Sequence, residues 1–370
     1  MPPDAAPITP AEWTRAVALL TDADEVCLAC HVRPDADALG SMLALAQALR
    51  ARPGRPPRVV ASFGDSPFEV PGILQFLPGL DLLSPPSRYP SRPQVMVTLD
   101  AGSIDRLGPL AVNAASAAEL IVVDHHASNT RFGSLNLVDP EAAATAVLGD
   151  ELIRRLGVPL THDIALGLYA GLVTDTGSFK FPATTPAVHE LAARLLATGI
   201  EPGVVATQLW DRAPFGYLHM LSAALGRAVL EPDAAGGLGL VWTTVSRADR
   251  QAAGLPLDAA ESVIDVIRRT QEAEVAAVLK EADDGSWQGS VRSKVSVDVG
   301  RACAALGGGG HARAAGFTAH GTPDQVMAAL RPLLAPAPRG RARTYADAAA
   351  GPGAGPPGGP GAGGRAADPR

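Results

Sequence analysis

Hydrophobic and polar positions along this chain follow two alternating periods. Thr9-Pro10-Ala11-Glu12 is a capping box with proline at the first helical position, and it opens a helix running to about Thr21. Short apolar runs rich in β-branched residues then alternate with segments of helical spacing. Glu25–His31, Pro57–Phe63, Gln94–Leu99 and Glu119–Asp124 read as buried strands. Ala38–Arg50, Glu141–Leu156, Thr161–Val173 and Pro186–Thr198 read as helices. Uninterrupted apolar runs followed by helices predict a parallel sheet, whose ligand sites lie at the carboxyl ends of the strands.

Residues 201–227 keep helical spacing without strands and read as a connector. A second α/β pattern follows. Gly239–Val245 reads as a strand, Ala260–Thr270 as a helix, and Glu274–Glu281 with Trp287–Arg292 as a strand pair across Asp283-Asp284-Gly285. Asp298–Leu306 reads as a helix, followed by Gly307 to Gly310 and His311, a helix-like Ala312–Gly316 and a last helix at residues 322–334. There is no internal repeat. The expected fold class is α/β: a parallel-sheet domain over residues 1–200, the helical connector, and a smaller α/β domain over residues 228–336.

Composition adds limits. Of 370 residues, 47% are hydrophobic and 19% charged, so the body of the chain can bury a core. Residues 351–370 hold 8 Gly and 5 Pro and no large apolar side chain, so a disordered tail is expected over residues 337–370. Met1 to Pro10 carries an Asp and no base, unlike a secretory signal, and no apolar run is long enough to span a membrane. Cys27, Cys30 and Cys303 are too few for a disulfide scaffold, which fits a soluble cytoplasmic protein. A net charge of −7 argues against a general nucleic-acid coat, yet it allows an anionic substrate if a metal supplies positive charge locally.

The informative residues fall at the expected strand ends. His31-Val-Arg-Pro34-Asp35-Ala-Asp37-Ala-Leu-Gly40-Ser41 puts an imidazole and two carboxylates on one strand-to-helix turn. Asp35 and Asp37, two apart, point to neighbouring positions, which suits two cations better than one. Asp100 ends another strand, Asp124-His125-His126 a third, and Asp175 a helix-like segment. Four carboxylates on one rim repel strongly, and two divalent ions balance Asp35, Asp37, Asp100 and Asp175 in charge. Imidazole and carboxylate donors without thiolate suit Mn²⁺. Adjacent histidines on extended chain face opposite ways, so one of the pair ligates and the other does something else. Asp105 and Asp139 read as ordinary caps or turn residues.

The glycine run lets backbone N–H groups approach a phosphate or ribose, with His311 at its end. Arg292 and Lys294 add fixed positive charge, with Arg313 a weaker candidate. A glycine run alone is usually a turn. Between Arg292 and a helix-like Ala312–Gly316 it reads as substrate binding, in a cleft closed at one end that favours short substrates.

Together, His31–Ser41, Asp100, Asp124-His125-His126 and Asp175 resemble the four motifs of the DHH phosphoesterase superfamily. Arg292-Ser293-Lys294 and Gly307 to Gly316 resemble its DHHA1 domain, and the whole is most similar to the nano-RNase/pAp-phosphatase group. The resemblance implies that His31 and Asp35 bind one Mn²⁺, that Asp37, His125 and Asp175 bind a second, and that Asp100 bridges both. It implies that His126 faces the scissile phosphate and Asp124 orients it. Arg292, Ser293, Lys294, Gly308, Gly309, Gly310 and His311 would bind substrate. Ala36 stands where the family commonly has Gly, which leaves every ligand in place.

The implied activity is metal-assisted hydrolysis of short oligoribonucleotides to 5′-mononucleotides and of 3′-phosphoadenosine 5′-phosphate (pAp), with His126 stabilising or protonating the departing 3′-oxygen. Cleavage of c-di-AMP or of linear pNpN is the alternative on the same chemistry, and a non-catalytic nucleotide-binding protein is a second one. A processive single-strand exonuclease would need further binding domains, and a pyrophosphatase of the superfamily lacks this glycine run. Family members are often homodimers. Gly353 to Gly358 fits a dinucleotide-binding pattern formally, but no strand precedes it. Cys27 and Cys30 face opposite sides of one strand. His162, His189, His219 and His320 read as surface or packing residues, and the four tryptophans as core.

Overall fold

The computed structural model describes residues 7–335; the tail expected at residues 337–370 lies outside the described residues. Helix α1 (Pro10–Asp22) opens on the expected capping box: Thr9 N donates to Glu12 Oε2 at 2.7 Å and Glu12 N to Thr9 Oγ1 at 3.3 Å. Strands and helices then alternate as β1 (Glu25–Cys30), α2 (Ala36–Ala51), β2 (Arg58–Phe63), β3 (Val95–Leu99), the short α3 (Ala111–Ala115) and β4 (Glu119–Asp124). They are followed by β5 (Leu135–Val138), α4 (Thr145–Arg155), α5 (His162–Asp175) and α6 (Pro186–Leu196).

All five strands are parallel, in the order β2-β1-β3-β4-β5. Both faces of the sheet are covered, which is why β1, β3 and β4 are buried along nearly their whole length. Along β1, Val26, Leu28 and Cys30 join the core under α1, α2, α4 and α5, while Cys27 and Ala29 pack on the other face with Met96, Leu107 and Leu110. Two features depart from expectation. Leu135–Val138 forms an unexpected edge strand, and the helix expected from Glu141 starts at Thr145.

Helices α2 and α5 approach too closely for side chains at their crossing. A Cβ at Gly40 would lie 2.3 Å from Gly167 O, and one at Gly171 would lie 2.5 Å from Asp37 Oδ1. This contact brings Asp37, in the first turn of α2, against α5 near the end that carries Asp175.

Helices α7 (Pro202–Trp210) and α8 (Phe215–Gly226) fill the expected strandless region. Val205 and Leu209 of α7 pack into the first core, whereas Met220 and Ala224 of α8 pack with Val241, Ile264 and Val278. The second sheet follows: β6 (Val229–Glu231), α9 (Ala234–Gly237), β7 (Leu240–Val245), α10 (Arg247–Ala253), α11 (Val263–Ile267), β8 (Val275–Glu281) and β9 (Trp287–Ser293). Helix α12 (Val299–Ala304), β10 (Gly309–His311), β11 (Ala314–Ala319) and α13 (Pro323–Leu330) complete it. The strand order is β10-β11-β9-β8-β7-β6, antiparallel except between β7 and β8.

Here too some expectations are corrected. The helix-like Ala312–Gly316 is the turn and start of β11, because its backbone pairs with β9 and tertiary pairing overrides alanine's helix preference. The helix expected over Ala260–Thr270 contracts to α11 behind a single 3₁₀ turn. Trp13, Trp242 and Trp287 are buried, but Trp210 is 47% exposed. The three cysteines are free and buried. No helix among the described residues is long and apolar enough to cross a membrane.

Candidate metal centre

The carboxyl ends of β1, β3 and β4 converge, and each delivers what the sequence placed there. His31 follows β1, Asp35 caps α2, Asp100 follows β3, and Asp124 ends β4 with His125 and His126 beyond it. His31 Nε2 lies 3.7 Å from Asp35 Oδ2 and 3.5 Å from Asp100 Oδ2. His125 Nε2 lies 3.0 Å from Asp175 Oδ2, 3.6 Å from Asp100 Oδ1 and 3.9 Å from Asp37 Oδ2. Four donor groups result among the described residues, and two of them, His31 with Asp35 and Asp100, and Asp37 with Asp100 and His125, share Asp100 from opposite sides. Its two oxygens face opposite groups.

The imidazoles are oriented from behind. Nδ1 of His31 donates to Val32 O at 2.8 Å and Nδ1 of His125 to Ala142 O at 3.1 Å, which turns both Nε2 atoms toward the carboxylates. His125 Nε2 is buried and makes no hydrogen bond despite the acidic oxygens around it. A nitrogen so placed fits a cation, or a proton that a cation displaces. Burial lowers His31, but Asp100 and Asp35 outweigh it and lift the imidazole to about 10. His125 is raised in the same way, against burial, by Asp175, Asp100 and Asp37. Burial, with Asp100 and Asp175, pushes Asp37 well up. The cluster therefore demands positive charge, as protons or as cations.

Three supporting groups went unassigned in the sequence. Thr145 donates from Oγ1 to Asp100 Oδ1 at 2.8 Å and from its N–H to Asp37 Oδ2 at 2.6 Å, and Ala146 N donates to Asp37 Oδ1 at 2.9 Å. The N-terminus of α4 thus holds Asp37, which is fully buried, and Ser41 Oγ adds a bond at 3.1 Å. Asp124 spends one oxygen on His126 Nδ1 at 2.7 Å and the other on Asn129 Nδ2 at 2.5 Å. Burial lowers His126, but the bond to Asp124 and the charge of Asp100 raise it overall.

The second sheet reaches this centre through His311, whose ring stacks on His126 at 4.5 Å and lies 5.0 Å from His125. Burial and the two neighbouring histidines push His311 down to about 4. Cross-strand register puts His311, Ala314, Arg292 and Ala276 in one row, on one face of the sheet. Arg292 donates to Val291 O at 3.1 Å and faces this side. Ser293 and Lys294 are not brought there. Strand alternation turns Ser293 to the opposite face, where its hydroxyl donates to Glu274 Oε1 at 2.8 Å, and Lys294 Nζ donates to Thr270 O at 2.5 Å.

The glycines divide. A Cβ at Gly308 would meet Gly316 O at 2.1 Å and one at Gly310, whose φ is +137°, would meet Ala314 O at 2.6 Å, so the fold itself requires both. At Gly309 a Cβ would meet nothing within 4 Å.

The family described as "DHH family, N-terminal domain" matches residues 25–172, and the DHHA1 domain matches residues 244–334. The bifunctional oligoribonuclease and PAP phosphatase of Thermus thermophilus is 33% identical over 319 residues, 84% of this chain and 90% of that one. The protein of the same description from Bacillus subtilis is 29% identical over 191 residues, 51% of this chain and 58% of that one. An exopolyphosphatase-related protein of Bacteroides fragilis shares the fold, with a TM-score of 0.78 at 22% identity over 88% of this chain and 96% of that one.

Proposed function

The chain belongs to the DHH phosphoesterase family and is a hydrolase of phosphoester bonds; on that premise we propose that it cleaves short oligoribonucleotides to 5′-mononucleotides and removes the 3′-phosphate of pAp. Enzymes of this family are metal-dependent, and the resident cofactor in this reading is a pair of Mn²⁺ ions. The observation that carries the reading is Asp100, shared between two donor groups beside the stacked pair His126 and His311. His31 and Asp35 would hold one ion, Asp37, His125 and Asp175 the other, with Asp100 bridging. Imidazole and carboxylate donors without thiolate support Mn²⁺.

Bound there, the ions supply Lewis-acid polarisation of the phosphate and of the attacking water. The chain's own residues do the rest. Asp124 fixes Nδ1–H of His126, leaving Nε2 toward the cleft, and its carboxylate with that of Asp100 favours the protonated ring that can serve the departing 3′-oxygen. Neutral His311 presents a flat ring and one N–H without adding charge. Arg292 keeps donors free for a phosphate or ribose, and Gly309 leaves open space beside it. Contacts between the sheets at His126–His311 and Arg33–Gln288 bracket the cleft, which supports short substrates. Three free cysteines support a reducing cytoplasm, and exposed Trp210, Phe215 and Leu218 on α7 and α8 support a homodimer.

Product analysis with Mn²⁺ tests this, comparing pAp, pApA, a long RNA strand and c-di-AMP beside an Asp100→Ala control. AMP released quickly from pApA and pAp, with slow turnover of the long strand, is expected. Dominant cleavage of c-di-AMP would replace the substrate, and no turnover of the short substrates with metal bound would overturn the proposal.

A further inference from the structure

Arg33 sits between His31 and Asp35 in the chain and takes no part in the donor groups. Its backbone is left-handed, with φ +54°, and is held so by the Asp65 carboxylate, which accepts its N–H at 2.8 Å and 3.0 Å. That conformation sends the side chain away from the first sheet. Its Nη1 crosses the cleft and donates to Gln288 Oε1 on β9 at 3.0 Å. Among the described residues the guanidinium meets no carboxylate, so an exposed cation at the mouth of the centre stays open to an entering anion.

A second arginine is tied to the same turn and feels the charge of Arg33. Val32 N donates to Arg106 O at 2.8 Å, which joins the Arg106 segment to this turn. Arg106 has no ion pair or side-chain hydrogen bond among the described residues. Partial desolvation and the charge of Arg33 lower its pKa, against the opposing charges of Asp35 and Asp100. Both guanidiniums are exposed at the rim of the donor groups, where Asp35 and Asp100 also act on Arg106, and forks of this kind suit a phosphate dianion.

The two proposed substrates share one unit. In pAp and in 5′-phosphorylated dinucleotides alike, the nucleoside whose 3′-phosphoester is cleaved carries a 5′-phosphate. Resting on the function proposed above, we propose that Arg33 and Arg106 bind this 5′-phosphate, Arg33 exchanging Gln288 for it when substrate enters. A neutral hydrogen bond gives way to a charge-assisted one, so the exchange favours the phosphorylated ligand. One site then serves both activities, because it reads the end of the nucleotide that they have in common.

The test compares KM and kcat for pApA and for ApA, which lacks the 5′-phosphate, in wild type, Arg33→Ala, Arg106→Ala and Gln288→Ala. Wild type is expected to favour pApA. Arg33→Ala and Arg106→Ala are each expected to raise KM for pApA about tenfold or more and leave ApA unchanged, the loss of one charge-assisted bond. Gln288→Ala is expected to keep the preference. Arg106→Ala lies outside the turn that carries His31 and Asp35, so it reports on the phosphate even where Arg33→Ala disturbs that turn. An equal loss on both substrates, or a Gln288→Ala variant that behaves like Arg33→Ala, would overturn the proposal and make Arg33 a strut between the sheets. Wild type that cleaves neither dinucleotide would instead refute the function on which it rests.

Discussion

His311 of the second sheet stacks on His126 beside the first, with ring centroids 4.5 Å apart and planes 18° apart. The two rings differ in charge preference. Burial lowers both, but Asp124 and Asp100 raise His126 overall, whereas His311 falls to about 4. His126 is thus the ring that favours a proton, and His311 the one that stays neutral. His126→Ala is expected to lower kcat by ~10²–10⁴ with KM little changed, the usual scale for a lost general acid. Because the protonated ring is the active form, the rate should fall as pH rises through the raised pKa of His126. The variant should lose that alkaline limb. His311→Ala should chiefly raise KM, and His311→Phe, which keeps the stack, should recover part of it. Steady-state kinetics across pH at fixed metal content check all three.

Metal binding should release protons. His31 is raised to about 10 and His125 is raised well above its usual range, so both carry protons on the atoms that face the carboxylates at neutral pH. A cation has to displace them, so apparent affinity should rise with pH. Calorimetric titration with Mn²⁺ in buffers of different ionisation enthalpy measures the release directly. Binding without proton release would show that these imidazoles are not donors.

The donor set was legible in the sequence because acids and imidazoles at the ends of apolar runs need a reason to be there. What holds them was not. The spacing from Glu141 to Leu156 carried one helical pattern through a turn, hiding the helix start at Thr145, whose amide and hydroxyl hold Asp37 and Asp100. A backbone N–H leaves no mark in composition. Asn129 acts through its side chain and escaped because one polar residue in a loop carries no spacing signal. Arg292-Ser293-Lys294 misled differently: three neighbours in sequence look like one patch, but strand alternation sends Ser293 to Glu274, and Lys294 turns to Thr270.

Thr145→Val removes the hydroxyl on Asp100 while keeping shape and the α4 amides that hold Asp37. Supporting bonds of this kind typically contribute 10–100-fold, roughly, to metal affinity. The variant should fold with near-normal thermal stability and need correspondingly more Mn²⁺ for half-maximal activity. An unchanged Mn²⁺ requirement would mean that Asp100 is oriented without Thr145.

The α2–α5 crossing supplies a stability test with a functional consequence. Gly171→Ala places a methyl against Asp37 Oδ1, and Gly40→Ala places one against Gly167 O. Overpacking of this kind costs about 1–3 kcal/mol, so both variants should unfold at lower temperature. Only Gly171→Ala presses on a donor, and it should lose metal affinity beyond its loss of stability. Thermal melts with and without Mn²⁺ separate the two effects.

The glycine run can be divided by the same logic, one methyl at a time. At Gly308 an added Cβ would meet Gly316 O at 2.1 Å, so Gly308→Ala should destabilise the second sheet and lower activity through stability. At Gly309 the same Cβ would meet nothing within 4 Å, and the backbone is not left-handed, so Gly309→Ala should melt at or slightly above the wild-type temperature. Gly309 pairs with Gly316 and thence with Ser290, two residues along the strand from Arg292, on the face that carries His311. If a nucleotide lies over that face, the methyl occupies its space. KM for pApA should then rise several-fold while kcat and bound metal stay unchanged. A Gly309→Ala variant with unaltered KM would show that the run serves the fold alone, and that substrate contacts on this sheet come from Arg292 and His311 without help from its backbone.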